Sequence, residues 1–279
     1  MTATSSPGFS LKQETLSYAA CMELPFLMVN ISRAGPGLGN LGPEQSDYFQ
    51  ATKGGGHGDY RLIVLAPASV QEMAQFPRTG FDLAFKYRNP TLILGDAFTG
   101  QLKEDVAFPE FTLTKYDVSS WATTGANERA PHILSSFELD YQKHYENLGR
   151  IYEKYRQIES NEVLFEEYLT EDAETVIVAF GIAARIAKGV VNKLRTKSVK
   201  VGLFRPITLW PFPSSQLRKL AVQGKRFLDM ELNAGQMIQD VKLAVGSDVT
   251  VDFLGKWGGV VPTEAEIESK LKRLEVVAL

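Results

Sequence analysis

Apolar runs of strand length recur along this chain, and most are followed by segments with apolar residues three and four positions apart. Residues 24–29, 62–66, 91–94, 175–180, 199–204, 225–230 and 249–253 read as strands, several continuous enough in Val, Ile, Leu and Phe to be buried on both faces. Between them, residues 11–22, 46–52, 183–195, 215–222, 234–244 and 263–274 read as helices, with Ser10 expected to cap the first. Another helix is expected from Ser69. Ser69 with Glu72, and Thr263 with Glu266, have the spacing of capping boxes. Pro77 and Gly80 fall inside the helix that Ser69 begins, and a kink or break is expected between Gln75 and Gly80. Residues 1–10 read as a small-residue loop turning at Pro7 and Gly8. Residues 95–131 also read as loop, holding Pro109, Trp121 and Gly125, and so does the apolar segment 207–213.

The strand–helix alternation predicts an α/β fold, with parallel sheets covered on both faces. Two such blocks are expected, 1–135 and 172–279. A charged, tyrosine-rich helical linker over 136–171 joins them.

Composition narrows the function. A formal charge of −3, from 30 basic and 33 acidic residues, offers no broad basic surface for nucleic acid or an anionic membrane. The tyrosines between 141 and 155 accordingly read as packing rather than base stacking. The single cysteine, Cys21, excludes a disulfide framework and any cysteine-only metal or iron–sulfur site within this sequence, and fits a reducing cytoplasm. No apolar run approaches the roughly 18–20 residues of a membrane span. The opening MTATSSPG lacks the pattern of a signal peptide.

Candidate chemistry gathers after the strand at 24–29. A lone arginine, Arg33, precedes Gly35-Pro36-Gly37-Leu38-Gly39, and a second glycine run, Gly54 to Gly56, leads into His57-Gly58-Asp59. Backbone N–H groups of a glycine-rich loop together with one cation suit an anionic ligand. A guanidinium binds a carboxylate bidentately and stays charged. Arg33 reads either as a surface arginine at a strand end or as such a clamp. His57 reads as a proton carrier or as a turn residue bonded to backbone. Gly35, Gly37 and Gly39 are spaced G-x-G-x-G, which is not the dinucleotide fingerprint. His57, His132 and His144 are too far apart in sequence for a metal motif, so no metal site is expected.

Three stretches, ATSSPGFSLKQE at 3–14, ELPFLMVNISRAGPGLG at 23–39 and QATKGGGHGDYRLIVLAP at 50–67, resemble the alpha subunit of 2-oxoacid:ferredoxin oxidoreductases, most nearly the branched-chain 2-oxoisovalerate type. TVIVAFGIAARIAKGVV at 175–191, FRPITLWPFP at 204–213 and DMELNAGQM at 229–237 resemble the same subunit's second domain. The resemblance implies a pyrimidine-type thiamine-diphosphate-binding domain followed by a doubly wound, transketolase C-terminal-like domain. It implies oxidative decarboxylation of a 2-oxoacid, with the acyl unit passing to coenzyme A and electrons to ferredoxin. A beta subunit would hold the cofactor's diphosphate and Mg²⁺, and iron–sulfur clusters would sit on partners, among them small, ferredoxin-like gamma and delta subunits. Arg33 would bind the substrate carboxylate. Ser5, Ser6, Pro7 and Gly8 would border the cofactor, with Gly35 and Gly37 beside them. Many relatives carry Gly-Pro-Ser-Thr-Gly after the arginine. Gly37-Leu38 stands here in place of Ser-Thr, which suits an apolar substrate chain.

Relatives also carry an upstream Tyr-Pro-Ile-Thr-Pro motif and a glutamate that activates the cofactor. The first domain is therefore expected to be incomplete and the chain inactive by itself. Alternative readings are a non-catalytic assembly module, a stand-alone dinucleotide oxidoreductase, or the same enzyme acting on 2-oxoglutarate or pyruvate.

Overall fold

A computed structural model describes residues 1–108 and 114–276. The elements are β1 (Thr2–Thr4), α1 (Pro7–Leu11), α2 (Gln13–Cys21), β2 (Phe26–Ser32), α3 (Tyr48–Thr52), β3 (Ile63–Leu65), α4 (Val70–Tyr87) and β4 (Pro90–Asp96). Then follow α5 (Tyr141–Asn161), β5 (Phe165–Tyr168), β6 (Thr175–Val178), α6 (Gly181–Arg195), β7 (Val201–Pro206) and β8 (Thr208–Trp210). The chain continues through α7 (Ser214–Val222), β9 (Arg226–Glu231), α8 (Met237–Val245), β10 (Val251–Gly255) and α9 (Glu264–Val276).

Among the described residues the strands form two five-stranded sheets, ordered β1-β2-β4-β3-β8 and β10-β9-β6-β7-β5. Each is parallel except for one antiparallel edge strand, β8 in the first and β5 in the second. All seven residues of β4 are buried, as suits a central parallel strand built on the apolar run Leu92–Ile93–Leu94. One core cluster joins β3 and β4 to α5 and to Phe204 and Phe227 of the second sheet. A second packs Ile177, Leu203 and Leu228 against α6 and against Ile267 and Leu271 of α9.

Several expectations need correction. Residues 1–10 are not loop alone: β1 pairs in parallel with β2, and α1 follows. Ser10 lies inside α1 rather than capping the next helix, and its hydroxyl accepts from Gln50 Nε2 at 3.1 Å. Helix α4 runs unbroken through Pro77. Its packing overrides the local cost. A Cβ on Gly80 would lie 2.7 Å from Leu27 Cδ1, so the helix sits close against β2 just where proline would break an isolated one. Segment 207–213 holds β8, which pairs with β3, so the second half of the chain completes the first sheet. The linker ends in a strand, β5, that pairs with β7. Pro109 lies outside the described residues.

Candidate functional site

Parallel strands of the first sheet end together, and ligands of open α/β sheets bind beyond such carboxyl ends. Ser5 and Ser6 leave β1 there, and Arg33 leaves β2. Fully buried Asn30 links the two: its Oδ1 accepts from Ser6 N at 2.9 Å and its Nδ2 donates to Asp47 Oδ2 at 2.7 Å. Ser6 Oγ donates to the same Asp47 oxygen at 2.7 Å and accepts from Arg33 N at 2.9 Å. Ser5 Oγ donates to the Ile31 carbonyl at 2.7 Å. Both serine hydroxyls are thus engaged in joining the strand ends. Pro7 opens α1, and Gly8 sits so close to Thr4 that a Cβ would fall 2.0 Å from its Oγ1.

The half-buried Arg33 forms a backbone bridge with Pro43, which closes the loop 34–42. Its Nη2 donates to the Leu38 carbonyl at 3.2 Å, while its Nε is buried and lacks a partner among the described residues. Gly35 N donates to Glu44 Oε2 at 3.1 Å. Burial pushes the Glu44 carboxyl up and Asp47 adds to this, against the pull of the Gly35 and Gly258 N–H groups. Gly39 requires its residue type: φ is +58°, and a Cβ would lie 1.7 Å from the Ala34 carbonyl oxygen. Leu38 and Leu41 stand 80% and 71% exposed on this loop.

Behind the loop, residues 44–49 plug into the second half. Gln45 Nε2 donates to the Phe180 carbonyl at 2.9 Å, and Gln45 Oε1 accepts from Leu232 N at 3.0 Å. Buried Tyr48 donates to Asp240 Oδ2 at 2.6 Å. Asn30, Glu44, Gln45 and Asp47 were not singled out from sequence. Isolated polar residues carry no periodic signal, and their partners are distant in the chain.

The structure places His57 elsewhere. It is exposed, its carbonyl accepts from Ser17 Oγ of α2, and it lines a cavity of about 420 Å³ with Cys21, His144 and Tyr152. Gly56 N donates to Tyr60 Oη, which itself donates to Gln13, so the second glycine run packs on α2. None of these contacts joins it to the Arg33 loop.

The rim after β1 and β2 therefore presents a half-buried guanidinium beside an exposed turn of backbone. A guanidinium at such a rim suits a carboxylate. Among the described residues no group of three or more His, Cys, Asp or Glu is placed to hold a metal ion.

Comparison with known proteins identifies the family. Residues 1–162 match the family model described as pyruvate flavodoxin/ferredoxin oxidoreductase, thiamine diP-binding, and residues 173–267 match pyruvate:ferredoxin oxidoreductase core domain II. The ketoisovalerate oxidoreductase subunit VorB of Methanothermobacter marburgensis is 48% identical over 274 residues, covering 98% of this chain and 78% of the relative. The 2-oxoglutarate synthase subunit KorA of Methanothermobacter thermautotrophicus is 32% identical over 301 residues, covering 98% of this chain and 80% of the relative. The solved 2-oxoglutarate:ferredoxin oxidoreductase from Magnetococcus marinus, with 2-oxoglutarate, coenzyme A and succinyl-CoA bound, superposes with a TM-score of 0.84 at 25% identity. That match covers 98% of this chain but about half, 52%, of the solved one. By these matches the chain belongs to the 2-oxoacid:ferredoxin oxidoreductase family, as a subunit with a thiamine-diphosphate-binding domain and a core domain II.

Proposed function

We propose that this chain is the alpha subunit of a thiamine-dependent 2-oxoacid:ferredoxin oxidoreductase and that its oxoacid is the branched-chain 2-oxoisovalerate. The whole enzyme would join the acyl unit of the oxoacid to coenzyme A, release the carboxylate carbon as CO2 and pass an electron pair to ferredoxin. The position of Arg33 carries this reading: it is half-buried at the end of β2, its Nη2 holds the Leu38 carbonyl at the surface, and a guanidinium on that rim is a ready donor for a carboxylate. Identity of 48% to a ketoisovalerate oxidoreductase subunit, and Leu38 in the loop, favour an apolar substrate chain.

On this reading Arg33 fixes one end of the oxoacid, so that its reacting carbon is presented in one orientation. Gly35 and Gly37 let the backbone approach it. Ser5, Ser6, Pro7 and Gly8 border the cofactor through their backbone, their hydroxyls being engaged internally. Thiamine diphosphate, when bound, supplies the electron sink for decarboxylation. The diphosphate and Mg²⁺ would sit on a beta subunit. The iron–sulfur clusters would sit on partners, including small gamma and delta subunits, since a cluster takes four cysteine ligands and this sequence has one cysteine. His57 is a weaker candidate for proton transfer, its exposed loop packing on α2 instead. The division into 1–135, 136–171 and 172–279 goes with this reading, as does a cytoplasmic location. Among the described residues no helix is long and apolar enough to cross a membrane.

The test is Arg33→Ala in the enzyme assembled with its partners. KM for 2-oxoisovalerate should rise by about a hundredfold, the order expected for one lost charge-assisted pair. Unchanged KM would refute the anchor. A higher kcat/KM for 2-oxoglutarate or pyruvate in the unaltered enzyme would refute the substrate.

A further inference from the structure

The loop that carries Arg33 does not rest on its own sheet alone. Asn40, at its exposed outer end, donates through Nδ2 to the Gly258 carbonyl at 3.1 Å, across 218 positions of sequence. Its Oδ1 meanwhile accepts from Gly42 N at 2.6 Å. Two residues further on the backbones touch: a Cβ on Gly42 would lie 2.5 Å from Gly259 Cα, a closeness only glycine permits. From the buried side, the Glu44 carboxylate takes the Gly35 N–H at 3.1 Å and also faces the Gly258 N–H. Gly258 is therefore held through its carbonyl by Asn40, while its amide faces the Glu44 carboxylate. It belongs to the loop that follows β10, the outer strand of the second sheet.

We propose that Asn40 is a positioning residue for the oxoacid: it braces the Arg33 loop against the loop after β10, so that the second half of the chain sets where the guanidinium stands. This rests on the reading of Arg33 as carboxylate anchor. The physical argument is one of restraint. Within the first half, the loop 34–42 is closed by the Arg33–Pro43 bridge, by the Ala34 N–H to Gly42 carbonyl bond of 3.0 Å and by the Asn40 N–H to Ala34 carbonyl bond of 3.0 Å. Glycines at 35, 37, 39 and 42 leave the backbone between those points with little intrinsic stiffness. A cross-contact at Asn40 removes that freedom before substrate arrives, and preorganisation of this kind appears as tighter substrate binding.

The two ends of the Asn40 side chain allow a clean experiment. Asn40→Asp keeps the oxygen that receives Gly42 N but loses the donor to Gly258. Asn40→Ala loses both. In the assembled enzyme both variants should raise KM for 2-oxoisovalerate about fivefold, the worth of one hydrogen bond, with kcat within twofold and melting temperature unchanged. Hydrogen exchange at Ala34, Asn40 and Gly42 should quicken in both. In an Arg33→Ala background, Asn40→Asp should raise KM no further. Wild-type KM and exchange in Asn40→Asp, with loss only in Asn40→Ala, would show a local turn and overturn the brace. Unchanged KM in Arg33→Ala would instead overturn the anchor, while the exchange rates would still report on the brace by themselves.

Discussion

Glu72, in the first turn of α4, receives both terminal nitrogens of Arg205 at 2.8 and 2.7 Å and so bolts the first half of the chain to β7 in the second. Arg205 is 95% buried, and its Nε lies 3.1 Å from Glu166 Oε2. Ala68 N donates to the same Glu72 carboxylate at 2.7 Å. Burial by itself would raise the Glu72 pKa, but the Arg205 and Ala68 hydrogen bonds outweigh it and hold the carboxyl below its ordinary range.

A lowered carboxylate pKa has a definite sign in stability. The unfolded glutamate titrates near 4.3. The Glu72 contribution is therefore complete above that value and is lost as pH falls through the lower folded value. Glu72→Gln should cost about 2–3 kcal/mol at pH 7, because Glu166 still partners Arg205. The gap in melting temperature between wild type and variant should close as pH falls from 5 to 3. A gap that stays constant over that range would show that the charge of Glu72 does not hold the halves together.

Tyr48 makes a second bolt. It is fully buried, and its hydroxyl donates to Asp240 Oδ2 at 2.6 Å, while Lys53 holds the other oxygen of that carboxylate. Tyr48→Phe should lower the unfolding free energy by about 1–2 kcal/mol. A double-mutant cycle with Asp240→Asn, read from denaturant midpoints, should recover most of that as coupling. Additive losses would mean that the two residues act separately.

Long apolar runs made the sheets legible from sequence. Residues 91–94 and 175–180 could hardly be anything but buried parallel strands, and β4 and β6 lie there. The antiparallel edges were not legible. Thr208–Trp210 is short, lies between prolines, and becomes a strand only because β3 is there to pair with it. Pro77 misled for the same reason in reverse, its local cost being smaller than the packing of α4. At the site, Arg33 and the glycines stand out as residue types. Glu44, Gln45 and Asn40 do not, because what distinguishes them is a partner some 200 residues away or a carboxylate's depth.

The glycines of the Arg33 loop should not be equivalent. Gly37 has φ of +68° with no atom within 4 Å of a built Cβ. Gly37→Ala therefore meets only the backbone cost of about 1 kcal/mol and should raise KM for the oxoacid by less than tenfold. Gly39→Ala adds a collision with the Ala34 carbonyl and must rebuild the loop, so it should raise KM by much more, while the melting temperature barely moves because the loop is exposed. Equal effects from the two substitutions would contradict the loop geometry.

Leu38 bears on the choice of substrate. It is 80% exposed in this chain, and beside the loop's contact with Gly258 stand Trp257 and Val260, 61% and 55% exposed. An isobutyl group held in water beside Arg33, the proposed carboxylate anchor, gains free energy when an apolar chain covers it. Discrimination of that kind is worth about 1–3 kcal/mol in a hydrophobic site. Leu38→Thr should therefore lower kcat/KM for 2-oxoisovalerate and narrow its ratio to that for 2-oxoglutarate by roughly tenfold, with Arg33 still binding both carboxylates. If instead the ratio holds and the subunits come apart at lower protein concentration, Leu38 packs against a partner subunit. The apolar wall for the substrate must then lie on that partner.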